Sequence, residues 1–238
     1  MREWEKDKRL LARRKIYEWL EVGLCLCFIG GFLDAYTYVS RGGVFANAQT
    51  GNIILLLLGL ASGEGASALR YFVPIMFFIV GVILSELLKG VRKNEAGSFW
   101  GHCCIIGAEI VLLILVGFLP DSFSDMIVNA LVSLVAAIQF NSFRKMEGLP
   151  FATAFCTGNL RSMTEYLHKF IFKRDRGAFW IGLKYFLFIL SFAAGVLGGY
   201  YITALWSGPA VFVTAVILIL LVTYMIVSYL HLKKADTL

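Results

Sequence analysis

Val44-Phe45-Ala46-Asn47-Ala48-Gln49-Thr50-Gly51-Asn52 returns later in the chain as Phe151-Ala152-Thr153-Ala154-Phe155-Cys156-Thr157-Gly158-Asn159. In each copy small and apolar residues lead into Thr-Gly-Asn, and a helix-like segment follows. Thr and Asn oxygens accept hydrogen bonds from the unpaired N–H groups of a helix N-terminus, and Gly lets the backbone turn sharply or approach a neighbour closely. The pattern predicts an extended segment, a break and a short helix beginning at the break, twice over.

The surroundings of these breaks make them informative. Hydrophobic residues are 59% of the chain and charged residues 16%, with a mean hydropathy of +0.76, and several runs exceed the ~18 apolar residues of a spanning helix. The chain therefore reads as an all-α integral membrane protein with the lipid bilayer as its first partner. Irregular backbone survives at membrane depth only where protein or a polar cavity surrounds it. The formal net charge of +6 raises nucleic acid as a partner. However, Lys and Arg gather at segment ends, as positive-inside topology requires, and not in a basic patch, so no nucleic-acid partner is expected.

Apolar runs fall at 17–40, 44–61, 69–89, 98–119, 122–143, 149–160, 178–206 and 209–232. Were all to cross from an inside N-terminus, Lys89, Arg92 and Lys93 would lie outside and the loop with Asp121 and Asp125 inside, both against the positive-inside rule. If instead the two Thr-Gly-Asn segments enter and return on one side, those three residues lie inside. Arg144, Lys145, Lys169, Lys173, Arg174, Arg176, Lys233 and Lys234 join them, leaving Arg41 and Arg70 as exceptions. The expectation is six transmembrane helices plus two re-entrant half-helices in a bacterial inner membrane, with both termini cytoplasmic. Residues 1–16 form a basic cytoplasmic tail, in which Trp4, Leu10, Leu11 and Ile16 interrupt the charges as in an interfacial helix. The first run continues through Gly30 and Gly31 to Tyr38, unlike the short core of a signal peptide.

The duplication extends past the motif. Leu69-Arg70-Tyr71-Phe72 matches Leu183-Lys184-Tyr185-Phe186, and Gly81-Val82 matches Gly195-Val196, at an offset of 114 (183 minus 69) against 107 for Thr-Gly-Asn (157 minus 50). The membrane part divides into a first repeat, 17–119, and a second, 120–238. Three crossings per repeat is an odd number, so the second repeat is inverted relative to the first, a 3+3 arrangement that places a solute site near the midplane at the repeat interface.

Two helix N-termini arriving from opposite faces would aim free N–H groups and positive dipole ends at that centre, which suits an anion or a neutral hydrogen-bond acceptor. The candidate substrate-binding residues are Thr50, Gly51, Asn52, Thr157, Gly158 and Asn159. The same Thr and Asn would equally serve as helix caps and buried polar glue with no solute at all. Asp34 in the first run, and Gln139 and Asn141 in the fifth, are polar at membrane depth and so are candidates too. Asp34 would carry a proton or cation, or pair with Arg41 or Arg70. Arg161, with Arg144, flanks the second motif and would draw anions to the inner mouth or anchor to lipid phosphates. Glu86 and Glu109 also fall within apolar runs, Glu86 near Lys89.

The five cysteines, Cys25, Cys27, Cys103, Cys104 and Cys156, lie in apolar segments, where thiols pack as small hydrophobes. His102 has no sequence partner at metal-ligand spacing. No metal, no cofactor and no enzymatic activity are expected, since neither Gly-x-Ser-x-Gly nor His-Glu-x-x-His occurs. The function expected is a transporter or channel for a small solute, with a non-transporting scaffold as the alternative; a homo-oligomer is compatible with both.

Gly30-Gly31-Phe32-Leu33-Asp34-Ala35-Tyr36 leading to Thr50-Gly51-Asn52, with Ile138-Gln139-Phe140-Asn141-Ser142-Phe143-Arg144-Lys145 leading to Thr157-Gly158-Asn159-Leu160-Arg161, resembles the YoaK family of bacterial membrane proteins across essentially the whole chain. The resemblance implies a six-span inner-membrane protein, with transport suggested by topology.

The topology is tested by cysteines introduced at Ser62 and Arg70 in a Cys-free background. Both are expected to react with a membrane-impermeant maleimide from outside intact cells; protection at both until the cells are opened would make 44–61 a full crossing.

Overall fold

Residues 15–89, 95–120, 122–151 and 156–236 are described in the computed structural model. The basic tail before Lys15, the Arg92-Lys93 pair, Asp121 and Ala152-Thr153-Ala154-Phe155 of the second motif lie outside the described residues. The apolar runs become eight helices: α1 Leu20–Ser40, α2 Gln49–Ala61, α3 Gly65–Lys89, α4 Glu95–Gly117, α5 Asp125–Ser142, α6 Cys156–Lys173, α7 Arg176–Trp206 and α8 Phe212–Asp236. Six of them, α1, α3, α4, α5, α7 and α8, are long and apolar enough to cross a bilayer.

The two helices that carry Thr-Gly-Asn are not among those six. At 13 residues, α2 is about 20 Å long, short of a hydrocarbon core of ~30 Å. With 18 residues, α6 reaches ~27 Å, but Arg161, Glu165, His168, Lys169 and Lys173 fill its middle and end. Its position also differs from the apolar run at 149–160. Leu149–Pro150 instead forms a strand, β2, antiparallel to β1 at Lys145–Met146. Glu147 and Gly148, both at positive φ (51° and 78°), close the two-residue turn between them. That hairpin is the one departure from an all-α chain among the described residues.

Helix ends follow local chemistry. The chain leaves α1 through Gly42 and Gly43, both at positive φ, where a side chain would be strained. At the start of α7, Asp175 Oδ1 accepts from the backbone N–H of Gly177 and Ala178 at 2.9 and 3.2 Å. A short 3₁₀ turn without charged residues, Gly208–Val211, joins α7 to α8.

Packing is dominated by two helix pairs, α1 against α7 and α3 against α5; α2 lies along α3, α6 along α7, and α4 against α8. Smaller contacts join α4 to α5, α1 to α8 and α1 to α5. Glycines set the closeness of both main pairs. A methyl at Gly195 of α7 would sit 2.0 Å from the Phe28 carbonyl oxygen of α1, and one at Gly31 of α1 would sit 2.2 Å from the Phe192 oxygen of α7. Gly81 does the same on α3, where a methyl would lie 2.5 Å from the Leu134 oxygen of α5. Small residues of this kind let membrane helices associate through close van der Waals contact. Ser191 Oγ adds a hydrogen bond to the Leu24 carbonyl at 2.7 Å across the α1–α7 seam.

Gly195→Leu and Gly81→Leu are expected to lower the thermal midpoint of the detergent-solubilised protein, or to prevent recovery of a monodisperse species, through overpacking costs of about 3 kcal/mol or more. Gly158→Ala, whose added methyl meets none of the described residues, should leave the midpoint unchanged or raise it, because Ala is the better helix former by ~1 kcal/mol. Melting curves of the three variants against the parent check both statements.

Candidate functional site

Two copies of Thr-Gly-Asn take the same places in two short helices. Thr50, Gly51 and Asn52 are the second to fourth residues of α2, and Thr157, Gly158 and Asn159 the second to fourth of α6. Each helix thus begins one residue before its Thr. The residue preceding α2 is Ala48, which offers no side-chain cap. Another group holds the backbone just ahead of it.

That group is Asp34. Its carboxylate, 4% exposed, accepts the Asn47 backbone N–H at Oδ1 over 2.6 Å, and the N–H groups of Ala46 and Ala48 also bear on it. A carboxylate from α1 therefore holds the backbone N–H groups of residues 46–48, the segment just ahead of α2, while the N–H groups of Gln49, Gly51 and Asn52 in the first turn of α2 donate to the Asn47 and Ala48 carbonyls. The expected pairing of Asp34 with Arg41 or Arg70 is not what forms. Arg41, 1% exposed, extends to the α5 end, with Nη1 3.5 Å from Asp125 Oδ1 and Nε 3.3 Å from the Tyr36 hydroxyl. Arg70 is exposed and lies over the Tyr71 ring. Backbone donors lie closer to Asp34 than either arginine and need no charge desolvated to reach it.

Asn52 is fully buried and completes the α2 turn. Its Oδ1 accepts from the Phe45 N–H at 2.9 Å, while Nδ2 donates to the Phe45 carbonyl at 2.7 Å and to Gln49 Oε1 at 3.0 Å. One side chain thus clamps the extended segment 44–48 onto the helix that follows it. Asn47 Nδ2 ties the same segment to the Gly30 carbonyl at 3.1 Å, and Gln49 Nε2 to that of Ala46 at 2.9 Å. Asn159 is buried at the corresponding place in α6, whereas Thr50, Thr157 and Gly158 are exposed. A methyl on Gly51 would meet the Phe45 ring at 2.9 Å, so this glycine does permit a close approach.

Cys156, the first residue of α6, lies close enough to interact electrostatically with both Asp34 and Cys27 of α1. The starts of α2 and α6 therefore approach the same stretch of α1. The remaining candidates stand apart from this centre. Asn141, at the end of α5, donates to Glu86 Oε1 at 2.7 Å and accepts from Arg144, whose Nη2 also reaches Glu86 at 2.8 Å. Glu86 thus finds its partners on the α5 end of the bundle. Gln139 is buried, with no hydrogen-bond partner for its Nε2 among the described residues. Arg161 is exposed and pairs with Glu165 one turn on, at 2.8 Å. Thr157, Arg161, Thr164, Glu165 and His168 line one open groove of about 650 Å³ along α6.

Some polar residues of the interior were not singled out by sequence. Asn129 donates from Nδ2 to the Arg41 carbonyl at 2.7 Å, tying α5 to the end of α1; its signal was an amide inside an apolar run. The ring nitrogens of His102 lie 2.6 Å from the Ser98 oxygen and 3.1 Å from the Ser142 oxygen, and the ring stacks on Tyr17 at 3.9 Å. Among the described residues no group of three or more His, Cys, Asp or Glu is placed to hold a metal.

A family model described as "Protein of unknown function (DUF1275)" matches residues 22–225. The chain is also similar to the UPF0700 transmembrane protein YoaK of Bacillus subtilis (strain 168), at 28% identity over 160 residues, which cover 65% of this chain and 70% of that protein. No solved structure matches. With a match that runs from the first turn of α1 well into α8, and with six helices able to cross a bilayer, this chain belongs to the DUF1275 family as a YoaK-like multi-pass membrane protein.

Proposed function

We propose that the protein is a transporter or channel for a small polar solute, built as an inverted 3+3 repeat in which α2 and α6 are re-entrant and aim their N-termini at a shared centre beside Asp34. The observation that carries this reading is the nearness of both short-helix starts to one buried stretch of α1. Broken helices at matching positions of two repeats are where transporters hold their solutes.

Helix packing supports the repeat. Exchanging α1 with α5, α2 with α6, α3 with α7 and α4 with α8 turns the α1–α7 pair into α5–α3, α2–α3 into α6–α7, and α4–α5 into α8–α1, and leaves α4–α8 and α1–α5 as they were. Every one of those pairs is occupied. The close approaches follow the same exchange, with Gly81 on Leu134 answering Gly195 on Phe28. A chain with three crossings per repeat keeps such a symmetry only if its halves have opposite orientation, which places both termini on one side. The basic ends of α6 and α8 make that side cytoplasmic, in a bacterial inner membrane, by the positive-inside rule.

Of the two solute classes that helix N-termini would favour, an anion and a neutral polar molecule, the second fits better. Asp34 occupies the N–H groups of residues 46–48, just ahead of α2, and brings a carboxylate to the centre, which offsets the attraction of the helix dipole for a negative charge. Partners are then the bilayer and the solute, with no nucleic acid. The competing reading, a non-transporting scaffold, draws on Asn52, whose bonds to Phe45 and Gln49 already engage both its oxygen and its amide nitrogen.

Stopped-flow light scattering on proteoliposomes separates the two. Glycerol or urea is expected to enter faster than in protein-free liposomes. Asp34→Asn, Asn52→Ala and Asn159→Ala should each slow entry by at least about tenfold, the equivalent of ~1.4 kcal/mol, while eluting as folded protein. Wild-type liposomes no faster than empty ones for either probe favour the scaffold, and unchanged entry in all three variants rules out this site.

A further inference from the structure

Glu109 lies in the middle of α4, within the span Ser98–Gly117. It is fully buried, and neither carboxylate oxygen has a hydrogen-bond partner among the described residues. Every other acidic side chain named above that lies among the described residues is bonded: Asp34 and Asp175 to backbone N–H groups, Asp125 to Arg41, Glu86 to Asn141 and Arg144, Glu147 to Lys184, Glu165 to Arg161. A buried polar residue that serves as glue offsets its desolvation through the bonds it makes. Glu109 makes none, so glue does not account for it.

The second observation is geometric. Glu109 lines a cleft of about 270 Å³ together with Leu88 of α3, Gly101, Cys104 and Ile105 of α4, and Val135 and Ile138 of α5. Leu88 is next to the last residue of α3 and Gly101 is near the start of α4. The cleft therefore extends from the α3–α4 end of the bundle to the level of Glu109, about 12 Å along the helix at ~1.5 Å per residue.

The groups that face Glu109 carry no countercharge. From α1 it is approached by Cys25, close enough to interact electrostatically; its own helix contributes Cys104 to the cleft, and α3 and α5 present only apolar side chains there. No charged group from α8 or any other described element bears on it. In a low-dielectric interior an unpaired carboxylate costs several kcal/mol, and a bound proton removes that charge.

We propose that Glu109 is a proton-binding site of the membrane interior, loaded through the cleft between α3, α4 and α5. Water entering at the α3–α4 end delivers H⁺ to the carboxylate, giving a neutral carboxyl, and the reverse step returns H⁺ to water. The proposal deepens the transport reading by naming H⁺ as the coupled ion, and rests on that reading for the coupling alone.

The test uses the full chain in nanodiscs with N,N′-dicyclohexylcarbodiimide, an apolar reagent that attacks protonated carboxyls. The carboxyl O–H adds across one C=N bond, and migration of the acyl group to nitrogen leaves a stable N-acylurea with nothing released. Peptide mass spectrometry is expected to find the adduct on Glu109 at pH 6, reduced severalfold at pH 9 and missing in Glu109→Gln. In liposomes carrying a pH-sensitive dye, an external acid step should acidify the lumen faster with wild type than with Glu109→Gln. Failure to label folded wild type at pH 6, or labelling equal at the two pH values, overturns the proton site. Labelling as expected with equal acidification by the two proteins upholds the site and overturns its coupling to transport, and liposomes that pass neither glycerol nor urea leave the site standing and sink the solute reading alone.

Discussion

The Asp34 carboxylate holding the N–H groups of residues 46–48, just ahead of α2, is the contact on which the rest of the architecture depends. An irregular segment buried away from water carries backbone donors that need partners, and each one left unpaired costs several kcal/mol. A carboxylate from α1 meets them, and so fixes where the segment and the helix after it start relative to α1. Asn52 then fixes the extended segment that leads into it. Without these two side chains, residues 44–48 would have backbone groups to satisfy and no reason to stay irregular.

Once that segment is fixed, glycine determines how near the long helices come. The α1–α7 and α3–α5 pairs pass with backbone touching backbone at Gly31, Gly195 and Gly81. In lipid no hydrophobic gain drives helices together, so close van der Waals contact has to do it. Both seams use glycines that recur in the sequence, in Gly81-Val82 and Gly195-Val196. Polar contacts across the bundle, Ser191 to Leu24 and Asn129 to Arg41, set register more than strength, since such bonds in membranes are individually modest.

Much of this was legible in the residues. Six long apolar runs read as spans become six helices of spanning length, and the charges after Asn159 correctly set α6 apart from them. The motif marks where the two short helices begin. Thr and Asn beside a helix start look like caps because capping is usually local. Here Asn52 bonds back to Phe45, and the segment ahead of α2 is held by Asp34; nothing in local spacing reveals a donor–acceptor pair formed through tertiary packing. The pairing of Asp34 with arginine failed for a related reason: Arg41 and Asp34 are close in sequence, yet Arg41 turns to Asp125 and Tyr36 at the end of the bundle. Glu109 was visible as a charge in an apolar run, while its want of a partner is a property of packing that only coordinates disclose. The strand pair at Lys145–Met146 and Leu149–Pro150 was hidden because its signal is a two-residue turn, Glu147-Gly148, inside an apolar stretch.

The two buried carboxyls of the interior stand in opposite situations, and the contrast bears on what each can do. Asp34 is met by N–H groups from three consecutive residues, and moving the group would strand those donors. Such a carboxylate acts as a fixed part of the scaffold and of the field at the centre. Glu109 has no donor to lose, so a change in its protonation breaks no bond and strands no neighbour. A group whose charge is to change repeatedly at membrane depth has to be of the second kind, because every cycle of the first kind would undo part of the fold. The α1 helix touches both, through Asp34 itself and through Cys25 beside Glu109. On the proposed arrangement, a charge appearing or vanishing at Glu109 is therefore felt on the one helix that also positions α2, and that shared helix is the physical route by which proton loading would bear on the centre.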